Sequence, residues 1–101
     1  MKNKKNENFI EDLYFVIEER AKSKNKKSYT RRLIKEGKDK IAQKVAEEST
    51  EVIIDYLNGS KKRVIEEASD LIYHLLVLLY SKKIKIDDIK KELNKRKNVR
   101  R

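Results

Sequence analysis

The sequence predicts an all-α protein, an antiparallel helical bundle of about five helices. Three observations carry this. The 101 residues contain no proline and only two glycines, so little interrupts a helix. Apolar residues recur three and four apart along nearly the whole chain. One turn signal, Asn58-Gly59-Ser60, separates two long helical runs, which places two antiparallel helices around a short connection. Gly59 suits the position just past a helix C-terminus, where the left-handed conformation is free of a side-chain clash. Ser60 suits the N-cap of the helix that follows.

Residues 1–6 are polar and read as a frayed end. Phe9, Ile10, Leu13, Val16 and Ile17 set a first helix over about 8–20. KSKNKK at 22–27 is a basic connector. Ser28 caps a short second helix over 29–36, with Leu33 and Ile34 as its apolar face and Gly37 at its end. A helix N-terminus presents free N–H groups to anions. Ser28, Tyr29 and Thr30 are therefore candidates for contact with phosphate, with Arg31 or Arg32 beside them. The plainer alternative is a cap and nothing more. A third helix spans 38–58 and a fourth 61–81. A fifth covers about 86–97, with Asp87 at its cap and Ile89 and Leu93 turned inward. The tail, KRKNVRR, is basic.

Hydrophobic residues make up 38% and charged residues 44%, which suits a helical domain with exposed charged faces. A single domain over 1–101 is expected, with its core at about 9–96. The absence of cysteine excludes disulfides, thiolate metal sites and cysteine nucleophiles. A single histidine excludes a multi-histidine zinc site within one chain. The longest apolar run, 71–80, is broken by His74 and is too short to span a bilayer. The start, MKNKKNENF, has no apolar signal core. A cytoplasmic protein without membrane contact is expected. The net charge of +10 favours anionic partners without choosing among nucleic acid, membrane surface and phosphorylated small molecules.

The stretch 44–74 carries the chemistry. Counted outward from Gly59, Glu51 and Glu67 are each eight residues away, and Glu48 and Asp70 each eleven. Lys44 pairs in the same way with His74, and Asp55 with Arg63. Within each helix these residues follow i, i+4, i+7, i+11, the spacing of one face. Helices rise about 1.5 Å per residue, so residues equidistant from a short turn lie at similar heights. Glu48, Glu51, Glu67 and Asp70 should converge along one edge of the apolar arcs. Neighbouring carboxylates repel unless raised pKa values let them share protons, or a hard cation such as Mg²⁺ neutralises them. A solvated charged face, with Lys44–Glu48 as an ordinary helical pair, is the bland alternative. His74, on the same stripe but within LIYHLLVLLY, reads first as a core or interface residue and only second as a site residue.

That fourth helix is apolar nearly all round. One antiparallel neighbour cannot cover the Val64–Leu75 arc together with Val77, Tyr73 and Tyr80. A homodimer interleaved through helix four is therefore expected, and Leu76→Asp or Val77→Arg should break it.

Glu47-Glu48-x-x-Glu51 followed by Glu67-x-x-Asp70 resembles the all-α nucleoside-triphosphate pyrophosphatase superfamily, which includes MazG-like enzymes and dimeric dUTPases. SYTRRL at 28–33, KIAQKVAEESTEV at 40–52 and EASDLIYHLLVLL at 67–79 resemble its phosphoribosyl-ATP pyrophosphatase branch more closely. Ala46 stands where that family often has Gly, one small residue for another. The resemblance implies hydrolysis of phosphoribosyl-ATP, a step of histidine biosynthesis. It also implies Mg²⁺ held by Glu48, Glu51, Glu67 and Asp70, and a homodimer. Water should be the nucleophile, oriented or deprotonated by Glu47 or Glu48. Arg20, Arg31, Lys40 and Lys44 are candidates for the substrate's phosphates. Two alternatives stand beside this: a MazG-like enzyme that clears non-standard nucleoside triphosphates, and a basic helical module that binds nucleic acid. The second leaves the carboxylates unexplained, so nucleic acid is the weaker expectation.

Overall fold

The computed structural model describes residues 8–99, and its elements are five α-helices. They are α1 (Phe9–Lys22), α2 (Tyr29–Glu36), α3 (Lys38–Asn58), α4 (Lys61–Ser81) and α5 (Ile86–Val99). The basic connector and the predicted bounds of α2, α3 and α4 are found as expected. Helices α1 and α5 each run two residues further than their apolar periodicity indicates. The frayed end at 1–6 and the last residues of the basic tail lie outside the described residues.

Local chemistry fixes the helix ends. The Ser28 hydroxyl accepts from the Arg31 N–H and that of Ser60 from the Arg63 N–H, each at 3.2 Å. Gly37 ends α2 and begins α3 at φ 102°, ψ 177°, a region open in practice only to glycine. Gly59 does not take the expected left-handed form: its φ is −104°. It is needed for space, because a Cβ there would lie 2.7 Å from Oδ1 and 3.0 Å from Cα of Asp55. At α5 the capping carboxylate is not Asp87 but Asp88, which accepts from the Lys85 N–H at 3.0 Å. Asp87 sits inside the first turn and pairs with Lys91 at 3.2 Å.

Helices α3 and α4 form the long antiparallel hairpin, and α1, α2 and α5 gather around the end away from Gly59. Each helix sends a residue to the core there: Ile17, Leu33, Ile41, Leu76 with Val77, and Ile86. Tyr14 joins α1 to the segment after α4, donating its hydroxyl to the Ile84 carbonyl at 2.7 Å. This arrangement corrects the expectation for α4. Val77 is fully buried and Leu76 nearly so within one chain, because α1, α2 and α5 cover the side that a lone antiparallel partner leaves open. Phe9 and Phe15 of α1 are exposed, as are Ile89 and Leu93 of α5, against the expectation that these last two face inward. The uncovered apolar surface of the hairpin lies toward the turn. Ile53, Tyr56, Leu57, Ile65 and Ile72 are exposed there, Tyr56 to 75%. Among the described residues no helix is long and apolar enough to cross a membrane.

Candidate metal centre and phosphate clefts

The hairpin brings Glu48 of α3 to Glu67 and Asp70 of α4, with one carboxylate oxygen of each within 4.8 Å of the other two. A second trio at the same limit joins Glu51, Asp55 and Glu67. The predicted quartet is thus two overlapping trios that share Glu67, and Asp55 is the addition. Asp55 lies on the i, i+4, i+7, i+11 stripe, but its pairing with Arg63 across the turn hides it as a donor in the sequence. All of these donors are carboxylate oxygens, the set that suits a hard cation.

Three of these carboxylates are partly withdrawn from water, while Glu51 and Asp70 are exposed. The side chains of Glu48, Asp55 and Glu67 retain 14%, 14% and 12% of their accessible surface. Two cations bracket them. Lys44 lies 3.5 Å from Glu47 and 3.7 Å from Glu48. Arg63 lies 3.1 Å from Glu67 and 3.7 Å from Asp55. This is too little to satisfy the group: Oδ2 of Asp55 is buried without a hydrogen bond. Burial first, and then the charge of Glu51, push the Glu67 carboxyl above its ordinary value, with Asp70 and Glu48 adding to the shift against Arg63. Glu47 is the opposite case. A hydrogen bond from the Gln43 amide at 2.9 Å, helped by Lys44, holds it below the usual carboxylate value, so it stays ionised.

The predicted phosphate residues fall into two clefts that meet at Tyr29. Arg20, Ser28, Tyr29 and Thr30 line a cavity of about 220 Å³ with Tyr73. Lys40, Lys44 and Glu47 line another of about 280 Å³, again with Tyr29. Arg31 lines neither. Thr30 is buried with its hydroxyl bonded to that of Tyr73, and Ser28 accepts from its own helix. These two hydroxyls therefore shape the first cleft from behind, with Arg20 as its cation, while Arg32, Lys40 and Lys44 are the cations that line the second.

His74 is buried, with Nδ1 2.8 Å from the Asp70 carbonyl. A carbonyl only accepts, so Nδ1 is the donor, which leaves Nε2 to accept from the Tyr29 hydroxyl at 2.8 Å. Both ring nitrogens are engaged, which leaves none for a cation. His74 ties a cleft wall to the helix turn that carries Asp70.

The sequence profile of a family described as phosphoribosyl-ATP pyrophosphohydrolase matches residues 10–97. The chain belongs to the phosphoribosyl-ATP pyrophosphohydrolase family. Proteins named phosphoribosyl-ATP pyrophosphatase are similar along most of its length. That of Clostridium novyi is 49% identical over 88 residues, covering 87% of this chain and 80% of that protein. That of Sulfolobus acidocaldarius is 51% identical over 90 residues, covering 89% and 95%. The histidine biosynthesis bifunctional protein HisIE of Bacteroides thetaiotaomicron is 43% identical over 95 residues, covering 94% of this chain and 47% of that protein. The span matched to the phosphoribosyl-ATP pyrophosphohydrolase family contains both trios and all the residues lining the two clefts.

Proposed function

We propose that this chain hydrolyses the α–β phosphoanhydride of phosphoribosyl-ATP, giving phosphoribosyl-AMP and pyrophosphate, the second step of histidine biosynthesis. The observation that carries the reading is the pair of carboxylate trios sharing Glu67, in a chain of this family. A charged nucleotide substrate makes the cytoplasm its place of work.

Glu48, Glu51, Glu67 and Asp70 are the residues that would hold Mg²⁺, with Asp55 completing the second trio. The fit rests on an all-oxygen donor set, the unbonded buried Oδ2 of Asp55 and the raised pKa of Glu67. Mg²⁺ there would offset phosphate charge and lower the pKa of bound water. Lys40 and Lys44 draw the triphosphate against the cleft wall, and Arg20 takes a phosphate on the other side of Tyr29. Glu47 lies outside both trios and stays ionised on the wall of the Lys40–Lys44 cleft. It orients the attacking water and accepts its proton as the water oxygen bonds to phosphorus and pyrophosphate leaves.

A homodimer accompanies this reading. Ile53, Tyr56, Leu57, Ile65 and Ile72 form an uncovered apolar surface on a small domain. Burying each such side chain contributes roughly 1.5–3 kcal/mol. A second copy laid along the Gly59 end of the hairpin covers them and places its basic residues near the carboxylates.

The test is product analysis with phosphoribosyl-ATP, with dUTP and other nucleoside triphosphates as competitors. Pyrophosphate should appear with Mg²⁺ and cease with EDTA. Orthophosphate as the first product, turnover without metal, or a preference for dUTP would each overturn the assignment.

A further inference from the structure

A cavity of about 530 Å³ at the end of the bundle away from Gly59 has no part in this chemistry. Its apolar walls are Tyr14 and Tyr80, with rings edge to face at 6.1 Å, and the side chains of Ile34 and Ile41. Lys38, Lys83 and Lys85 line it too, and among the described residues none of them has an ion-pair partner. Glu18 is the one acid on its wall. Ile41 is seven residues from Glu48, and Tyr80 is ten from Asp70. On helices that rise about 1.5 Å per residue this is some 10–15 Å from the carboxylates.

A second feature points to the same place. After α4 the Ile84 N–H bonds to the Leu79 carbonyl and the Lys83 N–H to the Tyr80 carbonyl, both at 2.9 Å. This is the helix-ending motif that usually puts glycine at its left-handed position. Here that residue is Lys83, at φ 64°, the one non-glycine with positive φ among the described residues. A side chain in this conformation is strained, and strain kept in a structure gathers where a side chain has work to do. The strain aims a lysine into a cavity already lined by two others.

We propose that this cavity is a second, non-catalytic nucleotide site that takes an adenosine monophosphate-sized anion. The base lies against Tyr14 and Tyr80, its exocyclic amine donates to Glu18, and the phosphate meets Lys38, Lys83 and Lys85. The volume is within the usual 300–1,000 Å³ of small-molecule sites. Burial pushes the Tyr14 hydroxyl above its ordinary pKa, as expected of a phenol enclosed on this wall.

The experiment uses the full chain in EDTA, with AMP, adenosine and inorganic phosphate as probes. It reads affinity by calorimetry and location by the methyl resonances of Ile34 and Ile41. AMP should bind at least tenfold more tightly than adenosine or phosphate and shift both methyls. Lys83→Gly should weaken AMP binding at least fivefold while raising Tm, which separates the loss of the lysine from loss of the fold. Lys85→Gln should weaken it as well. Equal binding of adenosine or of phosphate, unmoved Ile34 and Ile41 methyls, or AMP affinity unchanged in both variants would each overturn the proposal.

Discussion

The Tyr29 hydroxyl donates to Nε2 of His74 at 2.8 Å, and Nδ1 of the same ring donates to the Asp70 carbonyl at 2.8 Å. One imidazole thus connects the start of α2, where both clefts meet, to the helix that carries Glu67 and Asp70. The rings of Tyr29 and Tyr73 each meet His74 edge to face, at 5.7 and 5.6 Å, which fixes its plane.

Tyr29→Phe keeps the ring and removes the donor, leaving Nε2 of His74 buried without a partner. The expected loss is about 1–3 kcal/mol of stability in urea unfolding. A double-mutant cycle with His74→Phe should return a coupling of about 0.5–3 kcal/mol, as for residues in direct contact. Additive single effects would show that the hydrogen bond contributes nothing.

The sequence reveals the hairpin because three kinds of signal agree there: apolar period, a glycine turn and a serine cap. It reveals most of the carboxylate cluster for the same reason, since symmetry about Gly59 is a property of sequence. It does not show which side of α4 is covered. LIYHLLVLLY is apolar nearly all round, and wheel angles cannot say which neighbour takes which side when α1 and α2 arrive from distant parts of the chain. Nor does it show that Thr30, two residues past its cap, turns inward to Tyr73. The left-handed turn at Lys83 and the capping by Asp88 depend on backbone angles at helix ends, where residue type is a weak guide.

The packing of α4 against α1, α2 and α5 changes what a charge at Val77 should do. Val77→Arg buries an unpaired charge in a site with no exposure, so the chain should fail to fold rather than merely dissociate. Val77→Ala should cost about 2 kcal/mol. If the proposed homodimer uses the exposed face toward the turn, Ile65→Arg should leave the helical signal intact and shift sedimentation from dimer to monomer. A dimer that survives Ile65→Arg and Leu57→Arg together would place the contact elsewhere.

The two glycines should fail for different reasons. A Cβ on Gly37 would meet nothing within 4 Å, so Gly37→Ala costs about 1–3 kcal/mol through backbone strain alone. Replacement by D-alanine, whose mirror-image preference suits φ 102°, should restore most of the loss. Gly59 has an ordinary φ but no room for a Cβ, so L-alanine there should cost about 1–3 kcal/mol by overpacking against Asp55. Asp55→Ala, which removes the nearest atom, should ease it. Chemical unfolding of the four variants separates the two causes.

Glu67 makes the carboxylate cluster readable by pH. Its pKa is raised above 4.5 by burial and by Glu51, Asp70 and Glu48, so the folded chain holds this proton more tightly than the unfolded one. The stabilising contribution is whole below about pH 4.5 and is lost as pH rises through the folded value. At pH 7 without metal, the ionised carboxylate therefore weighs against the fold. Glu67→Gln should raise Tm at pH 7 in EDTA, and the difference should shrink toward pH 4. Glu47 carries the opposite sign. Its pKa is lowered, by Gln43 first, so its contribution is present above pH 4.5 and lost as pH falls. Glu47→Gln should lower Tm slightly at pH 7. Mg²⁺ then separates the two residues. A cation at one hundred times its Kd stabilises the parent by about 2.7 kcal/mol. Glu47→Gln should keep this gain, and Glu67→Gln, lacking the residue shared by both trios, should lose most of it. Calorimetry from pH 4 to 8, with EDTA or Mg²⁺, measures each of these effects. A Glu67→Gln chain that gains as much from Mg²⁺ as its parent would remove Glu67 from the metal site.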